Sequence, residues 1–181
     1  MKRWMAGLVA AAVFQAPAAR AADPTAAPTH IRIVHQERIA EAFDLARNRS
    51  EAFRATVEAI ESSDVYALIE DGSCSGPLMR SCLHLLVSTS PNFRALRIRV
   101  DGRQTTHELV AELAHELRHA SEVAAHPNVI DVAGLRAMYR AIGYRSCNAY
   151  GMECWETREA QATERLVREQ IQRFEALARR R

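Results

Sequence analysis

Apolar residues recur at different intervals along this chain, and each change of interval marks a new predicted element. Between residues 37 and 61, Ile39, Phe43, Leu45, Phe53, Val57 and Ile60 fall at helical spacing, which predicts one long helix or two short ones. Residues 65–69 are short and rich in β-formers, and Asp71-Gly72 with Gly76-Pro77 punctuates them like a turn. Residues 83–88 are apolar enough for a strand between two layers. Leu96, Ile98 and Val100 then alternate with Arg97, Arg99 and Asp101, the period-two pattern of a half-exposed strand. From Thr106, read as an N-cap, the pattern turns helical through Leu109, Val110, Leu113, Leu117 and Val123 and stops at Pro127. A second helix is expected over residues 132–142, a loop over 143–154, and a last helix from Trp155 to the Arg-rich end. With no internal repeat and no linker, the order helix, small sheet, helices predicts a single α+β domain, the sheet packed against its helices.

The first residues carry a different pattern. Lys2 and Arg3 precede an uncharged apolar run, residues 4–14, and Ala19-Arg20-Ala21 supplies a small-x-small cleavage signature. The run falls well short of the roughly 20 residues that span a bilayer. Residues 1–21 therefore read as a signal peptide, 22–36 as a flexible mature N-terminus and 37–181 as the folded domain. The expected destination is outside the cytoplasm, periplasmic or secreted, with no stable membrane insertion after cleavage.

Removing the signal changes the charge. The chain has 24 basic and 22 acidic residues. Without Lys2, Arg3 and Arg20 the basic count becomes 24 − 3 = 21, and the formal net charge becomes −1. A nearly neutral domain with few aromatics and no basic stripe lacks the features of a nucleic-acid binder. The four cysteines, Cys74, Cys82, Cys147 and Cys154, are an even number in an oxidising destination. Three pairings are possible; loop closure favours Cys74–Cys82 and Cys147–Cys154. A four-thiolate zinc site has no CxxC pair to build on.

The stretch that carries chemistry is Ala114-His115-Glu116-Leu117-Arg118-His119-Ala120. On a helix, residues four apart lie about 40° from each other, one turn along. His115 and His119 can thus offer two imidazoles to one ion, while Glu116, about 100° round, can act as a base on a water held there. With 7 His and 16 Glu in 181 residues, one such match arises by chance roughly 2% of the time. The opposite face of the helix is apolar, so it can pack while turning its histidines to a cleft. The competing reading is a solvated polar face, with Glu108, Glu112 and Glu122 its ordinary surface acids.

A catalytic zinc takes three protein ligands and keeps one position open. Glu122 and Ala125 stand where the longer HExxHxxGxxH pattern needs Gly and His, and His126 is one residue late. Asp131 has only its charge to recommend it. On the last helix, Ala160, Val167, Ile171, Phe174 and Ala178 form an apolar stripe, and Glu156 falls at its edge. A carboxylate on a buried face needs a partner, and a cation supplies one. Glu156 is the expected third ligand, with Glu159 as the alternative.

These residues resemble the gluzincin branch of zinc metalloproteases, and in particular small exported bacterial proteins with an HELxHA helix followed by an E-T-x-x-A helix. The likeness covers mainly residues 94–169. It implies a minimal zincin-like domain holding one zinc ion through His115, His119 and Glu156, with Glu116 as catalytic base. It also implies a strand bordering the cleft, for which residues 94–100 are the candidate, pairing by edge addition with an extended peptide or protein substrate. One departure stands out: the family's acid or amide four residues after the third ligand is here Ala160 (or Thr163, counted from Glu159). The expected activity is peptide-bond hydrolysis, with zinc acidifying a water and Glu116 carrying its proton to the leaving nitrogen. Tyr144, Arg145 and Tyr150 are candidate oxyanion donors. The alternative is a non-catalytic zinc-binding or partner-binding protein on the same scaffold.

Overall fold

In the computed structural model, residues 29–74, 79–86, 93–147 and 154–180 are described. The expected signal segment, residues 22–28 and Tyr150 lie outside them. Four strands, β1 (Ile31–Ile33), β2 (Val65–Asp71), β3 (Ser81–Leu86) and β4 (Arg94–Val100), form one sheet in the order β1-β2-β4-β3. The first, second and fourth run parallel, and β3 runs antiparallel to β4. Val65, Ala67, Ile69, Leu96, Ile98 and Val100 turn one face of the sheet into the core. Helices α1 (Glu37–Arg49), α2 (Glu51–Glu61) and α3 (Thr106–Ala124) gather over that face, and α5 (Arg158–Ala178) packs on α3 from the far side. Helix α4 (Val132–Ile142) and a small hairpin, β5 (Tyr144–Cys147) with β6 (Cys154–Glu156), complete the α+β fold.

Of the two readings of residues 37–61, the two-helix one holds. Ser50 is extended (φ −122°, ψ 121°), caps both helices, and its hydroxyl accepts from Phe53 N at 3.1 Å. The same hydroxyl donates to Gln170 Oε1 of α5 at 2.6 Å, so the break is itself a tertiary contact. The cap of α3 is Thr105, one residue before the expected Thr106. Thr105 and Glu108 form a reciprocal capping box, in which Thr105 N donates to Glu108 Oε2 at 2.9 Å.

The loop expected over residues 143–154 holds strand β5, paired with β6, and three further expectations are corrected by the sheet. Residues 31–33, placed in the flexible N-terminus, pair with β2; three residues are too few for a period-two signal, and their partner is remote in sequence. The strand expected at residues 83–88 begins at Ser81. The strand at 94–100 is not an edge, because β4 is hydrogen-bonded on both sides, to β2 and β3. Alternation reveals which face is buried, not where a strand sits in the sheet. The edge on the α3 side is β3.

One side chain ties these layers together. Arg94, at the start of β4 and 6% exposed, grips Asp64 with Nε at 2.8 Å and Nη2 at 2.6 Å. Its Nη1 donates to the carbonyls of Val123 and His126 at 2.8 Å, and to Val129 at 3.3 Å. The guanidinium thus adds a second, charged donor at the end of α3, where Val123 O and His126 O also accept from His126 N and Val129 N at 3.0 Å. Arg94→Met should lower stability by about 3 kcal/mol, since it removes the paired contact with Asp64 and the charged donor to the turn after α3; urea unfolding measures it. The Arg94 hydrogen bond, against a smaller opposing effect of burial, holds Asp64 below the ordinary aspartate value of 3.8. A depressed folded-state pKa contributes stability above the unfolded value that is lost as pH falls through the folded one. Asp64→Asn should therefore flatten the acid limb of stability below about pH 4, read as unfolding midpoint against pH.

Candidate metal centre

Helix α3 is buried along most of its length, and the burial includes three of its ionisable residues. Glu116 is 4%, His119 5% and Glu122 6% exposed. The solvated-face reading of this helix is thus overturned. Leu113 and Leu117 pack into the core, and each fully buried leucine is worth about 1.5–3 kcal/mol. That packing fixes the azimuth at which the histidines emerge.

The two imidazoles turn their Nε2 atoms towards one carboxylate. His115 Nε2 lies 3.3 Å from Glu156 Oε2, and His119 Nε2 lies 3.6 Å from Glu156 Oε1. One ligand atom from each of His115, His119 and Glu156 lies within 4.8 Å of the others, so the three could hold a metal ion. Ligand atoms about 2.0–2.1 Å from a tetrahedral zinc sit roughly 3.3 Å apart. The two imidazole–carboxylate spacings, 3.3 and 3.6 Å, are of that size.

The opposite ring nitrogens are occupied as a metal site requires. His115 Nδ1 meets Glu164 Oε2 at 3.2 Å, and His119 Nδ1 meets Glu122 Oε2 at 2.9 Å. Carboxylates there fix ring orientation and make Nε2 the better ligand. Each carboxylate is itself anchored. Arg168 donates to Glu164 Oε1 at 2.9 Å, and the Thr157 hydroxyl donates to Glu122 Oε1 at 2.7 Å. Two acids thus back the imidazoles, Glu164 on α5 and Glu122 on α3 itself.

Electrostatics point the same way. Burial pushes His115 and His119 down, but their carboxylate hydrogen bonds outweigh it and raise them to about 10 and about 9. Burial pushes Glu156 up, and the imidazole hydrogen bonds more than reverse this, to about 2. Here the protons on the imidazoles balance the acids; a divalent cation would displace those protons and take over that role.

Glu156 reaches the site by a route the helical projection did not contain. It lies on β6, opposite Tyr144 of β5, and α5 starts only after the Thr157 cap, whose hydroxyl accepts from Ala160 N at 3.0 Å. Gly143 makes this placement possible: a Cβ there would stand 2.5 Å from the Glu156 carbonyl oxygen. Glu159 is exposed on the first turn of α5, outside the cluster. Asp131 caps α4, accepting from Gly134 N at 2.7 Å.

Glu116 is held from the sheet. The Ser81 hydroxyl of β3 lies 2.7 Å from Glu116 Oε1 and also contacts Glu112 Oε2. Burial raises the Glu116 pKa, against the opposing pull of both histidines. Tyr139 of α4 stacks edge-on against His119, ring centres 5.5 Å apart. Burial, then the charges of Glu122, Glu116 and Glu156, raise its phenol well above 10. Of the expected oxyanion donors, Tyr144 is exposed and accepts from Gln161 Nε2 at 2.8 Å, and exposed Arg145 has its guanidinium 5.9 Å from the Trp155 ring centre.

Sequence reasoning missed Glu122, Glu164, Ser81 and Tyr139. Glu164 did leave a signal, since it stands four residues after Ala160 and three before Val167, inside the buried stripe of α5. Phe174, counted in that stripe, is 38% exposed and lies under the Arg49 guanidinium. Ser81 left no signal, because its role depends on a strand register.

Cys74 and Cys82 form the expected disulfide. Cys154 is also disulfide-bonded, and its backbone partner across the hairpin is Cys147. No helix among the described residues is long and apolar enough to cross a membrane. Comparison with protein-family models, with curated proteins and with solved structures finds no match to this chain.

Glu156→Gln should cost zinc affinity severely while Glu159→Gln leaves it intact, measured by competition with a chromophoric chelator. Glu164→Gln and Glu122→Gln should each weaken zinc by about 10–100-fold.

Proposed function

We propose that this chain is an exported zinc-dependent metallohydrolase of the zincin type, most plainly a peptidase. The observation that carries the reading is the convergence of His115 Nε2, His119 Nε2 and Glu156 on one point, with the Glu116 carboxylate one residue along the same helix. Zinc held there supplies Lewis acidity: it polarises a scissile carbonyl and lowers the pKa of a water.

The chain's own residues account for the rest. Glu116, raised by burial, is suited both to take a proton from water and to return it to a leaving nitrogen. Ser81 fixes the direction of that carboxylate. Glu164 and Glu122 keep both imidazoles in the Nδ1–H tautomer, so that Nε2 carries the free lone pair. The edge strand β3, rather than β4, is where an extended peptide would add. Cystine formation suits an oxidising compartment, which agrees with the signal-like first 21 residues.

The test separates metal from chemistry. Glu116→Gln should retain one zinc per chain by elemental analysis and lose about 10²–10⁴ in turnover of a peptide mixture. Wild-type rates in that variant would remove Glu116 as the base. A wild-type protein that binds zinc and cleaves nothing would instead establish the non-catalytic zinc protein.

A further inference from the structure

The face of the sheet turned away from the helices holds a second reactive cluster. Cys82 of β3 lies opposite Arg99 of β4, and two residues on, His84 lies opposite Arg97. The His84 Nε2 is 3.2 Å from the Cys82 sulfur, which is bonded to Cys74. The Arg99 side chain runs beside Gly72, two residues before Cys74. Burial, then the charges of Arg99 and Arg97, lower the pKa of His84, so both guanidiniums are felt at this spot. Against these cations stands one carboxylate, Glu70 of β2, opposite Arg99 in the ladder and 3.4 Å from Arg97 Nε.

A purely structural cystine needs no cations beside one of its sulfurs. A sulfur that must leave as a thiolate does, because positive charge and a hydrogen-bond donor lower thiol pKa and make it the better leaving group. We propose that Cys74–Cys82 is an exchange-competent disulfide, opened by a small thiol, with Cys82 leaving as a thiolate held by His84 and Arg99. The attacking thiolate bonds to the Cys74 sulfur, and the electron pair of the broken S–S bond goes to Cys82. A second thiolate then attacks the mixed disulfide, releasing the small-molecule disulfide and leaving Cys74 reduced. Two thiols are oxidised for one protein disulfide reduced, and their protons end on the protein thiols. The two cysteines are only 9% and 8% exposed, which selects a small thiol over a bulky protein partner. The proposal is independent of the hydrolase reading.

The test uses the full chain in glutathione redox buffers, with thiol trapping and peptide mass spectrometry, folding being followed by circular dichroism. Cys74–Cys82 should open in the folded protein at a reduced-to-oxidised ratio at least tenfold lower than the disulfide of Cys154 requires. Arg99→Gln and His84→Gln should each raise the ratio needed by about tenfold. In Cys74→Ser, the alkylation rate of Cys82 should titrate below the ordinary thiol value of about 8.5. Opening of both disulfides together, opening only in denaturant, variants at the wild-type midpoint, or a Cys82 titrating at or above the ordinary value would each overturn it.

Discussion

Charge taken out of water must be matched on the spot, and helix α3 carries that obligation into the middle of this protein. Glu116, His119 and Glu122 are buried on it, with His115 close behind. An isolated buried carboxylate costs several kcal/mol, so the surroundings are arranged to answer each one. Ser81 comes from the sheet, Thr157 from the cap of α5, Glu156 from the hairpin and Glu164 from α5. Strand β6 and helix α5, later in the chain, each bring polar groups to the side chains of α3. The fold and the candidate centre are therefore not separable layers of description.

The same obligation explains the ends of α3. Its first turn closes on its own capping box, while its last carbonyls are answered from a distance by Arg94. Because Arg94 also begins β4 and grips the turn before β2, the helix is pinned along its axis as well as around it. A site built on an element fixed in both senses keeps its ligands within a few tenths of an ångström, as metal coordination demands.

The sequence carried the local half of this design. Periodicity placed α4 to the residue, the break at Ser50 was one of two readings, and the pattern His115-Glu116-x-x-His119 announced its own geometry. Glu156 does join the two histidines, by a path the helical projection did not contain. The apolar stripe of α5 was extended backwards into what is a strand, since a three-residue strand ahead of a threonine cap looks like a helix start. Glu122 was read as a surface acid because one sequence cannot show that α5 covers it. Ser81 and the interior place of β4 depend on strand order, which alternation does not encode. What was hidden in each case was a partner remote in the chain.

The glycine at position 143 carries a consequence for how far the Glu156 carboxylate can reach. Real Cβ contacts essentially never fall under 3.0 Å, so a methyl group there would have to push the Glu156 backbone away by about 0.5 Å, from 2.5 Å. Bond lengths at a metal tolerate only about 0.2 Å of error. A missing side chain at the end of α4 thus lets the Glu156 carboxylate reach the place where the two imidazoles meet it.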